Sequence, residues 1–139
     1  MAHWLIKSEP NKWSWAMQVD AGAKGTFWNG VRNHSAKQYL MAMKLGEQVF
    51  FYHSNEGKEI VGIVEVIKTY YPDDSDPTGK FGMCDFAAVK PLKTPVTLEA
   101  IKADARLKDM ILVNNSRLSV QPVTGAEWKF ICKLGGVAA

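Results

Sequence analysis

The sequence predicts an α/β fold of the α+β kind: a curled mixed β-sheet or small barrel with helices around it. Three observations carry that expectation. A strand-like run, "HWLIK" (3–7), begins almost at the first residue. Two β-branched and aromatic runs, "EQVFFYHS" (47–54) and "EIVGIVEVIKTYY" (59–71), are separated only by the turn "NEGK" and so read as a hairpin. Helical periodicity is confined to short segments that carry their own caps. A hairpin-centred order argues against a doubly wound parallel sheet, whose strands are joined by crossover helices.

After the first strand, Pro10 of "SEP" suits the first position of a short helix or a turn, where its missing N–H is not needed. "NKWSWAMQV" (11–19) is a short helix or an irregular Trp-rich segment, and "DAGAKGT" (20–26) reads as a glycine-containing loop. Ala36, Tyr39, Leu40 and Met43 recur at i, i+3, i+4 and i+7, which predicts a helix over about 34–44. Asn33 or Ser35 caps it and Gly46 ends it. Gly62, inside the second hairpin strand, marks a bulge or the close approach of another backbone. "PDDSDPTGK" (72–80) is a polar loop expected to be mobile. "MCDFAAVKPL" (83–92) is a strand that lies at an edge, or stops, at Pro91. Thr97 caps a short helix, "RLKDMIL" adds a further helical turn, and "SRLSVQPV" (116–123) is the last strand. Thr124 and Glu127 form a capping box for "GAEWKFICKL", which Gly135 and Gly136 terminate.

At 139 residues, with 47% hydrophobic and 22% charged content, the chain fits one globular domain over 1–139. The opening "MAHWLIKSEP" lacks a cationic start followed by an apolar core, so no signal peptide is expected. No apolar run approaches the ~20 residues of a membrane span, so no membrane partner is expected. Cys84 and Cys132 are the only cysteines, too few for a disulfide framework; they predict reduced thiols and a cytoplasmic setting. A net charge of +3 permits an anionic partner without requiring one. There is no G-x-S-x-G, H-E-x-x-H, C-x-x-C or P-loop. His3, His34, His53, Cys84 and Cys132 fall at no metal-ligand spacing. No catalytic activity, metal or cofactor is therefore expected.

The informative feature is a set of polar and aromatic side chains at the ends of predicted elements. They lie in "KSEP" (7–10), "WNGVRN" (28–33), "FYHSN" (51–55) and "SRLS" (116–119). If these ends converge, Trp and Tyr faces stack on a planar base while Ser, Asn and backbone groups bond its edge. Lys and Arg at the rim would hold flanking phosphates. A purely structural reading competes at each position. Trp4 and Trp128 read as core, while Trp13, Trp15 and Trp28, beside turn residues, stay open between core and ligand. On that reading Asn33 is a helix cap, Arg117 pairs with Asp85 or Glu65, and Ser8 and Ser54 satisfy backbone groups at strand ends.

"WLIKSEP", "WNGVRNHSAKQYL", "MKLGEQVFFYHS", "GIVEVIKTYYPD", "PVTLEAIKAD" and "RLSVQPVTGAEW" follow one another over about residues 3–134. In that collinear order they resemble the EVE domain family of the PUA-like superfamily. The resemblance implies a PUA-like curled mixed sheet or pseudo-barrel with peripheral helices. It also implies a non-catalytic, cofactor-free module that binds nucleic acid and reads a modified base, chiefly modified cytosine in DNA, by accepting a flipped-out nucleotide. An RNA-binding or nucleotide-processing PUA-like protein is the alternative. The residues it implies are Lys7 and Ser8; Trp28, Arg32 and Asn33; His53 and Ser54; and Arg117 and Ser119. In that setting Trp28, helped by Trp15 or Tyr52, is expected to stack on the base or surround its methyl group. Asn33 and Ser8 bond the Watson–Crick edge, exposed only after extrusion, and Arg32, Lys7 and Arg117 meet phosphates or close the rim. The chain departs from the family pattern where an aromatic falls at Phe86 rather than nearer Cys84 or Asp85. It departs again at Asn114 and Asn115, where a basic residue is frequent.

Overall fold

The computed structural model describes residues 2–139. Its strands are β1 (His3–Ser8), β2 (Thr26–Phe27), β3 (Gln48–His53), β4 (Glu59–Pro72), β5 (Gly82–Thr97) and β6 (Val120–Val123). They form one sheet in the order β2–β5–β4–β3–β1–β6, with β1 parallel to β3 and the other pairs antiparallel. Around it lie α1 (Trp15–Asp20), α2 (His34–Ala42), α3 (Leu98–Ala103), α4 (Ile111–Asn114) and α5 (Gly125–Leu134). This is the mixed sheet with peripheral helices that the element order predicts.

Alternation along β1 sets the layout, because successive side chains of a strand point to opposite faces. On one face Trp4 and Ile6 pack with Phe51, Val64 and Phe86 under Ala36 and Leu40 of α2. On the other, Leu5 packs with Phe50, Ile60 and Ile63 under Ile101 of α3, Leu112 of α4 and Trp128 of α5. The Trp128 ring is stacked 3.8 Å from Phe50 and 4.4 Å from His3. Trp4 and Trp128 are core residues, as their neighbours in sequence predict.

The β4–β5 ladder slips register at several points, and bulges of this kind bend and twist a strand pair. The pair therefore serves both cores: Phe86 of β5 lies under α2, whereas Leu92 and Val96 lie under α5. One slip is large. Gly62 pairs with Pro91 and Ile60 with Val96, so β5 carries extra residues between its two prolines, Pro91 and Pro95. That is how β5 runs on to Thr97 instead of stopping at Pro91: a bulge is a position where a strand tolerates proline.

Other boundaries also differ from expectation. The last strand begins only at Val120, and "SRLS" is a turn. Helix α2 ends at Ala42, ahead of Gly46; the latter, at φ 83°, makes the following turn and donates its N–H to Val66 O at 2.9 Å. β2 occupies what reads as the end of a glycine loop, because two residues have no measurable period. The 72–80 loop, expected to be mobile, is cross-tied. Asp73 Oδ2 accepts from the Gly30 amide at 2.9 Å and from Arg32 Nη1 at 3.1 Å, and Oδ1 accepts from the Ser75 amide and hydroxyl. Burial alone would raise the Asp73 carboxyl, but these bonds outweigh it and hold the pKa at about 2. Asp76 likewise accepts from Thr78 and from the Phe81 amide.

Candidate functional site

β1 ends with Ser8 beside His53 of β3, and the Ser54 amide donates to Ser8 O at 2.9 Å. The chain then turns through Pro10, with the Trp13 amide on Glu9 O, and enters α1 behind its N-cap Ser14. Across an opening, β2 delivers Phe27 and then Trp28, whose amide donates to Cys84 O at 2.9 Å. Between these segments lies a cavity of about 400 Å³, at the lower end of the ~300–1,000 Å³ of small-molecule sites. Lys7, Ser8, Glu9, Lys12 and Trp13 line it from the β1 side, and Thr26, Phe27, Trp28 and Asn29 from the β2 side.

Aromatic packing fixes the walls. Trp28 stands edge-on to Phe51 at 5.8 Å and to Phe86 at 5.7 Å. Trp15 stands edge-on to Phe51 at 5.4 Å with its ring over Gly62, where a Cβ would fall 2.4 Å from the indole. The bulge expected at Gly62 is present as a register shift against both β3 and β5, and the close approach there is made by an indole and not by a backbone. Trp13 Nε1 donates to Gln18 Oε1 at 2.8 Å, and buried Gln18 donates Nε2 to Phe86 O at 3.0 Å. Ser8 Oγ donates to Trp13 O at 2.5 Å. With both protons engaged inside the wall, Trp13 can offer a ligand its ring face and Ser8 an oxygen lone pair.

Of the residues expected at the site, Lys7, Ser8 and Trp28 line this cavity, and the others lie outside its lining. The Lys7 ammonium donates to Ser116 O at 2.6 Å and lies 5.8 Å from the Tyr52 ring centre. Burial lowers its pKa. Tyr52, expected to assist Trp28, pairs with Lys7 and sits 3% exposed in the core under α5; strand alternation puts it on the wrong face. Trp15 braces the wall through Phe51 and Gly62 without lining the cavity. His53 Nε2 accepts the Trp15 amide at 3.0 Å, which assigns its proton to Nδ1. Burial lowers the His53 pKa, with Glu59 opposing. Arg32 pairs with Asp73 at 3.1 Å and donates to Ser75 at 2.9 Å, so it is a strut for the 72–80 loop instead of a rim cation. Asn33 is exposed and caps α2, its Oδ1 accepting the Ala36 amide at 2.9 Å. Ser54 contributes its amide to Ser8, and Ser119 its carbonyl to the Lys7 amide. Arg117 is exposed, and neither Asp85 nor Glu65 pairs with it among the described residues; Asp85 accepts the Tyr71 hydroxyl instead.

The expected site residues leave out Glu9, Lys12, Trp13, Thr26, Phe27 and Asn29 among those lining the cavity; of these only Trp13 stands open between core and ligand in the sequence. Glu9 and Asn29 stand inside the quoted stretches "KSEP" and "WNGVRN", so taking each stretch whole would have found them. Thr26 and Phe27 carry no such signal. Glu9 accepts from Asn55 Nδ2 at 2.7 Å and pairs with Lys12 at 3.4 Å. The exposed Asn29 side chain makes no hydrogen bond among the described residues.

The thiols contribute no chemistry here. Burial pushes Cys84 up to about 12 and raises Cys132, and Cys84 Sγ donates to Leu40 O. Among the described residues no His, Cys, Asp and Glu cluster could hold a metal ion, and no helix is long and apolar enough to cross a membrane. A second opening, of about 440 Å³, lies where the β3–β4 turn meets α3 and has no aromatic lining. The first cavity, lined by Trp13, Trp28, Ser8, Asn29 and two lysines, has the residue types that suit a flat polar ligand.

The EVE domain model matches residues 2–134. A Rhodopseudomonas palustris protein solved by NMR is 62% identical, with a TM-score of 0.93 over 98% of this chain and 94% of its own. Thymocyte nuclear protein 1 of Gallus gallus is 39% identical over 95% of this chain and 68% of its own length. The crystal structure of human THYN1 protein in complex with 5-methylcytosine-containing DNA is similar at a TM-score of 0.92 and 33% identity, over 100% of both chains.

Proposed function

The chain belongs to the EVE domain family, and on that premise we propose that it is a non-catalytic reader of a modified base, taking one extruded nucleotide into the cavity beside Trp28. One observation carries the reading: two indoles, the Ser8 oxygen and the unpartnered Asn29 amide gather around a single opening of about 400 Å³. The human relative in complex with 5-methylcytosine-containing DNA makes methylcytosine in DNA the first base to test.

In this reading Trp28 and Trp13 stack on the base, each contact contributing ~1–3 kcal/mol. Extrusion costs a few kcal/mol, about what two ring contacts return, so bonds to the base edge supply the net affinity. Ser8 Oγ, its proton engaged by Trp13, accepts from an exocyclic amino group such as cytosine N4. The Asn29 amide supplies one donor and one acceptor to the remaining edge. A methyl group at C5 leaves water against Trp28. At ~0.8 kcal/mol per buried carbon, that contact alone gives about a fourfold preference over cytosine. Lys12, its side chain 78% exposed, meets a flanking phosphate. No step calls on a nucleophile. The reduced, buried thiols suit a reducing compartment such as the cytosol.

The test is a titration of duplexes carrying cytosine, 5-methylcytosine or 5-hydroxymethylcytosine at one position, alongside RNA carrying N6-methyladenine. A several-fold preference for one modified base, abolished in a folded Trp28→Ala variant, is the expected result. Equal binding across the panel, or a preference unchanged by Trp28→Ala, overturns it. Preference for the RNA moves the reading to RNA, and release of a product moves it to nucleotide processing.

A further inference from the structure

Extruding a base leaves a gap in the stack that something has to fill, and one side chain at the cavity mouth has the chemistry to do so. Phe27 is 56% exposed, the aromatic among the large hydrophobic side chains that face solvent. Isolated exposed hydrophobes are ordinary, so its position and mounting decide the matter. Met17, Val19, Met41, Leu45, Val89 and Leu134 are exposed too, but Phe27 alone of this set lines the cavity. Its backbone is held on both sides although β2 has only two residues. Before it, Gly25 at φ 64° runs so close to β5 that a Cβ would fall 2.2 Å from Phe86 O. In register, Thr26 pairs with Phe86 and Phe27 with Asp85. After it, the Trp28 amide is bonded to Cys84 O, and the Trp28 ring is fixed edge-on between Phe51 and Phe86. The result is an exposed apolar ring on an anchored backbone, one residue from the indole proposed to receive the base.

We propose that Phe27 is an intercalating wedge, entering the base stack of duplex DNA at the place vacated by the extruded nucleotide. This rests on the base-reading function proposed for the cavity. Apolar side chains, Phe and Leu among them, insert between base steps and partly replace the stacking that is lost. A wedge adjoining the receiving pocket couples the two events: the base leaves the stack on one side of the β2 turn as the ring enters it. Single-stranded nucleic acid has no paired stack to refill, so the contribution of Phe27 is specific to the duplex.

The experiment measures binding of wild type, Phe27→Ala and Phe27→Leu to the same 5-methylcytosine oligonucleotide as a duplex and as a single strand. Matched thermal melts control for folding. Phe27→Ala is expected to weaken duplex binding about tenfold, the order of one stacking contact. Single-strand binding should change by less than about twofold, and Phe27→Leu should keep most of the duplex affinity. Equal losses on both substrates, no loss on the duplex, or a wild type that ignores duplexes overturns the wedge. Failure of base reading shows separately, as wild-type affinity that is the same for modified and unmodified oligonucleotides in either form.

Discussion

Position 33 shows how one hydrogen bond can decide a role. The Asn33 side-chain oxygen holds the Ala36 amide at 2.9 Å at the start of α2, whereas the Asn29 amide lines the cavity without a partner. Asn33 commits its oxygen to the cap and lies outside the lining of the cavity. Asn33→Ala is therefore expected to lower stability by about 1 kcal/mol and to leave base preference intact. Asn29→Ala should leave stability within about 0.5 kcal/mol. It should also reduce discrimination among bases by the ~0.5–1.5 kcal/mol of one hydrogen bond. Urea denaturation and oligonucleotide titration of both variants check the pair; the opposite assignment of effects returns edge reading to Asn33. Lysine 7 and tyrosine 52 illustrate a different constraint. Their neighbours Ser8 and His53 are one residue away, yet strand alternation starts the two pairs on opposite faces of the sheet, with Tyr52 in the core under α5 and Ser8 at the cavity.

Among the elements, the 72–80 segment is composed like a flexible loop and built like a clamp. Through Asp73 it grips Gly30 and Arg32 in the turn that follows Trp28. The Asp73 carboxyl lies at about 2 in the folded protein against an ordinary 3.8. A depressed pKa means that its stabilising contribution is complete above 3.8 and is lost as pH falls from there through about 2. Urea midpoints followed from neutral to acid pH should show wild type above Asp73→Asn, with the gap closing below pH 3.8. A gap independent of pH contradicts the clamp. Strands β1, β3 and β4, the cap at Thr97 and the capping box at Thr124 are legible in sequence because each is a local pattern of period or hydrogen bonding. β2 is not, because two residues have no period and its existence depends on a long-range approach permitted by Gly25. The cavity is legible only in part: "KSEP" and "WNGVRN" point to it, but "SRLS" and Tyr52 belong elsewhere through sheet register. No local signal specifies register.

For the molecule as a whole, a net charge of +3 and a rim carrying few free cations set a limit on phosphate contacts. At a slope of about −0.9 per neutralised phosphate, log affinity for a modified duplex should fall with log salt by about −2 to −3. A slope twice as steep, read by titration between low and physiological salt, would indicate a long basic groove instead of one pocket. The shared sheet also couples the two cores, since β4 and β5 pass from one to the other through register slips. The brevity of β2 has a further consequence. It covers only Asp85 and Phe86 of a strand of 16 residues, so among the described residues no further strand pairs with the outer edge of β5. A bare strand edge is a template for aggregation. Here Pro91 and Pro95 remove two N–H groups from it, Lys90 and Lys93 add charge, and Gly135 O takes the Thr94 amide at 3.1 Å. The two prolines, which in sequence look like interruptions of a strand, thus help to keep each copy of the protein from adding itself to the sheet of the next.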